Sequence, residues 1–153
     1  MRREYVISCP VCSEEFATTR KSNIKWMKSK LREHLEKSHV REVELWYERN
    51  RKNWRYVKRE CLKPFKKKLP VGVVGGRVLK AEADEEALRK LEEAENLSDL
   101  LSALEDICTA NMRMQGNSAA FATAMQAAVL REWLFSYFIE HTTTVKMKCL
   151  SRE

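Results

Sequence analysis

The apolar positions of this chain change period several times. Tyr5, Val6 and Ile7 form a short β-prone run leading into Cys9-Pro10-Val11-Cys12, which reads as a strand followed by a tight turn. From Ser22 the period becomes helical. Ile24, Met27, Leu31 and Leu35 recur at three- and four-residue steps with charged residues between them. Val40, Val43, Tyr47, Asn50, Trp54, Val57 and Cys61 continue those steps as one apolar stripe, broken by the polar Asn50, on a second helix or an extension of the first. Pro64 is expected to end it, because proline lacks the backbone N–H a helix interior needs.

Leu69 to Leu79 holds three of the four glycines, and Gly75-Gly76 between valines reads as a linker or a short hairpin. Helical spacing then returns. Asp84 opens a run through about Glu95, with Asn96 as its stop. Ser98 is expected to cap a helix buried along Leu100, Leu101, Leu104 and Ile107, and Gly116 to close it. A last helix runs from Ala119 to about His141. The segment from Thr142 to Cys149 alternates like a strand, with the valines near Val71 as a candidate partner. The pattern predicts a mainly α fold: an N-terminal ββα-like region with an extended helix, then a small helical domain, with a short terminal strand or hairpin. The segments are 1–41, a basic aromatic helix over 42–68, a linker or hairpin over 69–83, and a helical domain over 84–153.

Charge divides the chain more sharply than its net of +7 implies. Residues 1–68 hold 20 Lys/Arg against 9 Asp/Glu, whereas residues 69–153 hold 9 against 13. The basic half is the place to expect a polyanion. No apolar run has the length of a secretory signal or a membrane span, so the expectation is a soluble intracellular protein without a membrane partner, nuclear in a eukaryote and cytoplasmic otherwise. In a reducing compartment, closely spaced cysteines point to metal rather than to disulfides.

The closely spaced pair is Cys9-x2-Cys12, followed after 21 residues by His34-x4-His39. A two-residue gap lets two thiolates face one ion, and a four-residue gap places two imidazoles on one helical face. Phe16 lies four residues after Cys12, and Leu31 three before His34. With these landmarks the stretch over residues 5–40 resembles the Cys2His2 zinc-finger family. The resemblance implies one structural Zn2+ held by Cys9, Cys12, His34 and His39, with Phe16 and Leu31 as the finger core. Four protein ligands close the shell, which argues against a catalytic ion. The family places about 12 residues between the second Cys and the first His, so roughly nine are extra here. The family's base-reading positions, counted back from His34, fall on Met27, Lys30 and Glu33. If the helix starts near Ser22, Arg20, Lys21, Asn23 and Lys25 meet the nucleic acid first, and no base is assigned to any of them.

The expected function is zinc-dependent binding of double-stranded DNA, as a transcriptional regulator or accessory nucleoprotein. The contacts expected are Arg20, Lys21, Lys25, Lys28, Lys30, Arg49, Lys52, Arg55 and Arg59, with phosphates as their targets. Trp46, Tyr47, Trp54, Tyr56 and Phe65 interleave with ten Lys/Arg between Arg49 and Lys68. These rings either stack on bases or, for Tyr47 and Trp54 above all, belong to the core. Trp133, Leu134, Phe135, Tyr137 and Phe138 exceed what one helix face can present to a small core, so they either drive a homodimer through the C-terminal helices or fold against the Tyr47 and Trp54 stripe. Two alternatives are a structural or protein-interaction adaptor and an RNA or single-strand binder. No phosphate loop, nucleophile elbow or carboxylate pair is present, so neither an enzyme nor a small-molecule substrate is expected. Cys61, Cys108 and Cys149 read as small buried hydrophobes, with a second metal site including His141 as the alternative.

Overall fold

The computed structural model describes residues 2–112 and 118–150. It is mainly α, with strands β1 (Arg2–Ser8) and β2 (Glu15–Thr18) at the start and a 3-10 turn over Lys21–Asn23. Helices α1 (Ile24–Ser38), α2 (Val40–Arg49) and α3 (Arg51–Lys66) follow. After the strands β3 (Pro70–Val74) and β4 (Arg77–Lys80) come α4 (Glu85–Glu93), α5 (Leu97–Met112), α6 (Ser118–Thr142) and β5 (Lys146–Leu150). The chain forms two compact units, one of Met1–Val43 with Leu134–Glu153 and one of Glu44–Trp133.

In the first unit a three-stranded antiparallel sheet has the order β2-β1-β5. Tyr5 pairs with Thr18 on one side and with Met147 on the other. The terminal strand therefore partners β1 and not the valines near Val71, whose own pairing partner is β4. The core side chains come from two adjacent positions of β1, which point to opposite faces of the sheet, and from one helix stripe. Val6, Ile7, Met27, Leu31 and Leu35 are all buried, and Ile7 and the three helical residues are within 1% of complete burial. Removing Leu-sized side chains from water contributes about 2 kcal/mol each, so this cluster is enough to fix α1 against the sheet.

The second unit is built from helix stripes. Tyr47, Trp54, Val57, Cys61, Leu91, Leu97, Leu100, Leu104 and Ile107 are buried. The continuous stripe expected over 40–61 is two helices, because Asn50 leaves the helical range (φ −113°, ψ 66°) and its side-chain amide donates to the Trp46 carbonyl at 2.8 Å. That local bond offers the backbone an alternative to helix. Pro64 does not end α3. It sits in the last turn, and termination comes at Lys68, which takes φ +48° while Leu69 N–H donates to the Pro64 carbonyl. This is a left-handed C-cap of the Schellman kind.

Gly75 and Gly76 both have positive φ and turn β3 into β4, so of the linker and the short hairpin expected over 69–83 the chain forms the hairpin, inside the second unit. Asp84 caps α4 by accepting from Ala87 N–H at 2.7 Å. Asn96, not Ser98, caps α5, accepting from Asp99 N–H at 2.9 Å. Gly116 lies outside the described residues. Cys61 is fully buried, and that burial, with Glu60 adding to it, pushes its thiol up to about 12. Cys108 is only half-buried and Cys149 is exposed, contrary to the expectation that all three would be core.

Candidate metal centre

Four side chains that lie far apart in sequence converge at one end of the first unit. Cys9 follows β1, and Cys12 closes the turn toward β2. Two backbone hydrogen bonds tie that turn, Ser13 N–H to the Cys9 carbonyl and Cys9 N–H to the Glu14 carbonyl. Closing it this tightly requires a left-handed residue, and Ser13 takes that conformation at φ +65°. His34 projects from α1, and His39 stands at the junction of α1 and α2, where helical geometry has relaxed.

The donor atoms of Cys9, Cys12, His34 and His39 all lie within 4.8 Å of one another, a grouping that could hold a metal ion. His34 Nε2 is 3.2 Å from Cys12 Sγ and 3.2 Å from His39 Nε2. The opposite ring nitrogens face carboxylates. His34 Nδ1 is 3.2 Å from Glu14 Oε2, and His39 Nδ1 is 3.8 Å from Glu42 Oε2. The Glu14 carboxylate facing His34 Nδ1 favours the proton there and leaves Nε2 as a lone-pair donor, the tautomer a metal requires, whereas His39 Nδ1 is buried with no hydrogen-bond partner and Glu42 stands too far for one. Burial pushes the Cys9 thiol up, while backbone N–H groups of Cys12 and Val11 act in the opposite direction by favouring thiolate.

Phe16 is half-buried, with its ring centroid 5.7 Å from that of His34, and Leu31 is fully buried. Phe16 therefore sits beside the cluster, and Leu31 is a core residue of the helix that carries His34. Among the described residues Cys61, Cys108, Cys149 and His141 form no such group.

Of the expected nucleic-acid contacts, Arg20, Lys21, Lys25 and Lys30 are exposed in the first unit, and Lys28 is half-buried and paired with Glu140 at 3.2 Å. Arg49, Lys52, Arg55 and Arg59 are exposed in the second unit. Met27 is fully buried. It cannot read a base, because it lies on the core stripe with Leu31 and Leu35. Tyr47, Trp54 and Phe65 are core as well, whereas Tyr56 is 39% exposed. Leu134, Phe135 and Phe138 are buried, and the apolar residues that α6 leaves exposed are Phe121, Met125 and Val129.

Sequence reasoning missed three contributors. Glu42 is legible as a residue three positions after His39 on a continuing helix, and Glu14 as a carboxylate two positions after Cys12. Trp26 is 56% exposed on α1 with Lys30 Nζ 5.7 Å from its ring centroid. It sits one position before Met27, off the buried stripe. No helix of the described residues is long and apolar enough to cross a membrane. No family model, curated protein or solved structure matches the chain.

Proposed function

We propose that the first unit is a Cys2His2-type zinc finger folded by one structural Zn2+, and that the chain uses its basic N-terminal half to bind double-stranded DNA as a regulator or accessory nucleoprotein. Zinc is the metal that suits two thiolates and two imidazoles in tetrahedral array. Bond lengths near 2.05 Å to nitrogen and 2.3 Å to sulfur put ligand nitrogens about 3.3 Å apart and a nitrogen about 3.6 Å from a sulfur. The 3.2 Å separations around His34 Nε2 are close to both. Four protein donors leave no open position for a substrate, which favours a structural role.

The observation that carries the nucleic-acid reading is the outer face of α3. Its buried face is Trp54, Val57, Cys61 and Phe65. On the other side Arg55, Lys58, Arg59, Lys63, Lys66 and Lys67 surround Leu62 along a shallow depression of about 440 Å³, where Glu60 is the acidic lining residue and Lys66 pairs with Glu92 at 3.2 Å. From Arg55 to Lys67 the helix rises about 18 Å, close to five nucleotide steps of one strand of duplex DNA. Six cations against one carboxylate raise the local potential and favour a polyanion. Zinc-loaded protein titrated with duplex DNA across a salt series tests the reading. A log–log slope of about −5 corresponds to six phosphate contacts, and Lys58→Glu with Lys63→Glu is expected to flatten it. No retention of DNA at low salt would remove the nucleic-acid reading.

A second reading, as a protein-interaction or self-associating module, rests on Phe121, Met125 and Val129. They are 55%, 48% and 52% exposed and follow one another at four-residue steps on α6. Concentration-dependent sedimentation, abolished by Met125→Glu, is the outcome that reading expects.

A further inference from the structure

We infer that the outer face of α1 is a stacking platform for an unpaired base of a single-stranded nucleic acid, with Trp26 against the base and Lys21, Lys25 and Lys30 on the flanking phosphates. The inference rests on the nucleic-acid reading above and names the form of nucleic acid this face takes. Met27, Leu31 and Leu35 bury one side of α1, and that cluster is complete without Trp26. More than half of the indole nevertheless stands in water. A Trp side chain offers a large rigid π-face, and on α1 that face stands beside a cation and not against the core.

The surroundings select the occupant. Lys21, in the 3-10 turn, and Lys25, in the first turn of α1, are exposed, and Lys30 Nζ lies 5.7 Å from the centroid of the Trp26 ring. The first turn of α1 contains no acidic residue, so the positive end of the helix dipole adds to the same field. Glu33 lies 3.5 Å from Lys30, toward the C-terminal half of the helix, and Glu140 pairs with Lys28. An apolar protein partner would have to strand these cations, whereas a single strand supplies phosphates for the lysines and a π-face for the indole. An intact duplex keeps its bases stacked inside. Met27, one of the positions from which a finger helix would reach base edges in the major groove, points into the core. The face therefore suits a base that has left its stack.

The test compares full-length, zinc-loaded wild type with Trp26→Ala and Trp26→Phe, using labelled oligothymidylate, oligouridylate and a duplex of matched length over a salt series. Stacking on one aromatic residue predicts a loss of roughly 5- to 150-fold for Trp26→Ala on the single strands. Trp26→Phe is expected to recover most of it. The duplex affinity and the salt slopes stay where they were, because the phosphate contacts are intact. Zinc content and melting temperature show that each variant is folded. The DNA and RNA arms decide which backbone is preferred. Single-strand affinity untouched by Trp26→Ala, or an equal loss on duplex and single strand, overturns the platform while leaving duplex binding by α3 standing. Wild type that retains neither form at low salt overturns both the platform and the reading beneath it.

Discussion

In the first unit four polar side chains, Cys9, Cys12, His34 and His39, turn toward one another, whereas among its described residues the second unit buries apolar side chains and a single polar one, Thr123. Thr123 is satisfied by the chain itself. Its hydroxyl donates to the Ala119 carbonyl at 2.9 Å and accepts from Glu82 N–H at 3.1 Å. The Cys and His atoms have no equivalent arrangement, since an Nε2 aimed at another Nε2 and at a sulfur can satisfy at most one of them through a proton. A metal ion satisfies all of them together. The contrast teaches that a polar cluster can be a folding element where its partner is an ion, and that the two units should respond differently to the same perturbation.

The largest expected difference comes from the ligands. Cys12→Ser or His34→Ala should remove the zinc and release the turn between β1 and β2. Structural zinc in small finger domains is worth about 10–16 kcal/mol, so intermediate behaviour is not expected. Metal content and the amide spectrum of residues 2–18 provide the check. Next come core truncations. Leu31→Ala and Leu104→Ala each delete a fully buried side chain and should cost about 2–5 kcal/mol. The two should separate in zinc competition assays, where Leu31→Ala weakens metal affinity and Leu104→Ala lowers the melting temperature at unchanged affinity. Glu14→Gln removes the charge that faces His34 Nδ1 and is expected to weaken zinc by about 10- to 100-fold, as measured against a chelating dye.

The smallest effect concerns Ser13, whose φ of +65° is unfavourable for any residue with a Cβ. Ser13→Gly should stabilise the metal-bound form by about 0.5–1 kcal/mol, after allowing for the greater freedom glycine has when unfolded. An unchanged or lower melting temperature for that variant would show that the turn is not strained at Ser13.

Much of this arrangement is legible in the residues. The two short gaps, Cys9 to Cys12 and His34 to His39, with Phe16 and Leu31 at fixed offsets, identify the cluster, but positions five apart do not share one face of a continuous helix, and His39 meets His34 where α1 has ended and His39 has left the helical range. The periodicity of α4, α5 and α6 is visible as well, and Gly75-Gly76 marks a turn that only positive φ permits. What was not legible depends on competition or distance. Asn50 sits on a stripe whose spacing is identical on both sides, so the break follows from a side-chain bond to Trp46 that periodicity does not register. Pro64 is tolerated because it falls in a final turn that Lys68 terminates. Asn96 and Ser98 are both chemically able to cap α5, and geometry chooses between them. The pairing of Val6 with Lys146 joins opposite ends of the chain, and nothing in either strand specifies the other. Trp26 lies off the apolar stripe of α1 and belongs to no motif, so only its exposure sets it apart.

The claim that metal holds one unit and apolar burial the other is tested most directly by hydrogen exchange on the intact protein, with and without a zinc chelator. The account predicts that amides of β1, β2 and α1 lose protection when the metal is removed, while those of α3, α4 and α5 keep it. Equal protection in both states, or a loss spread evenly over both units, would contradict it.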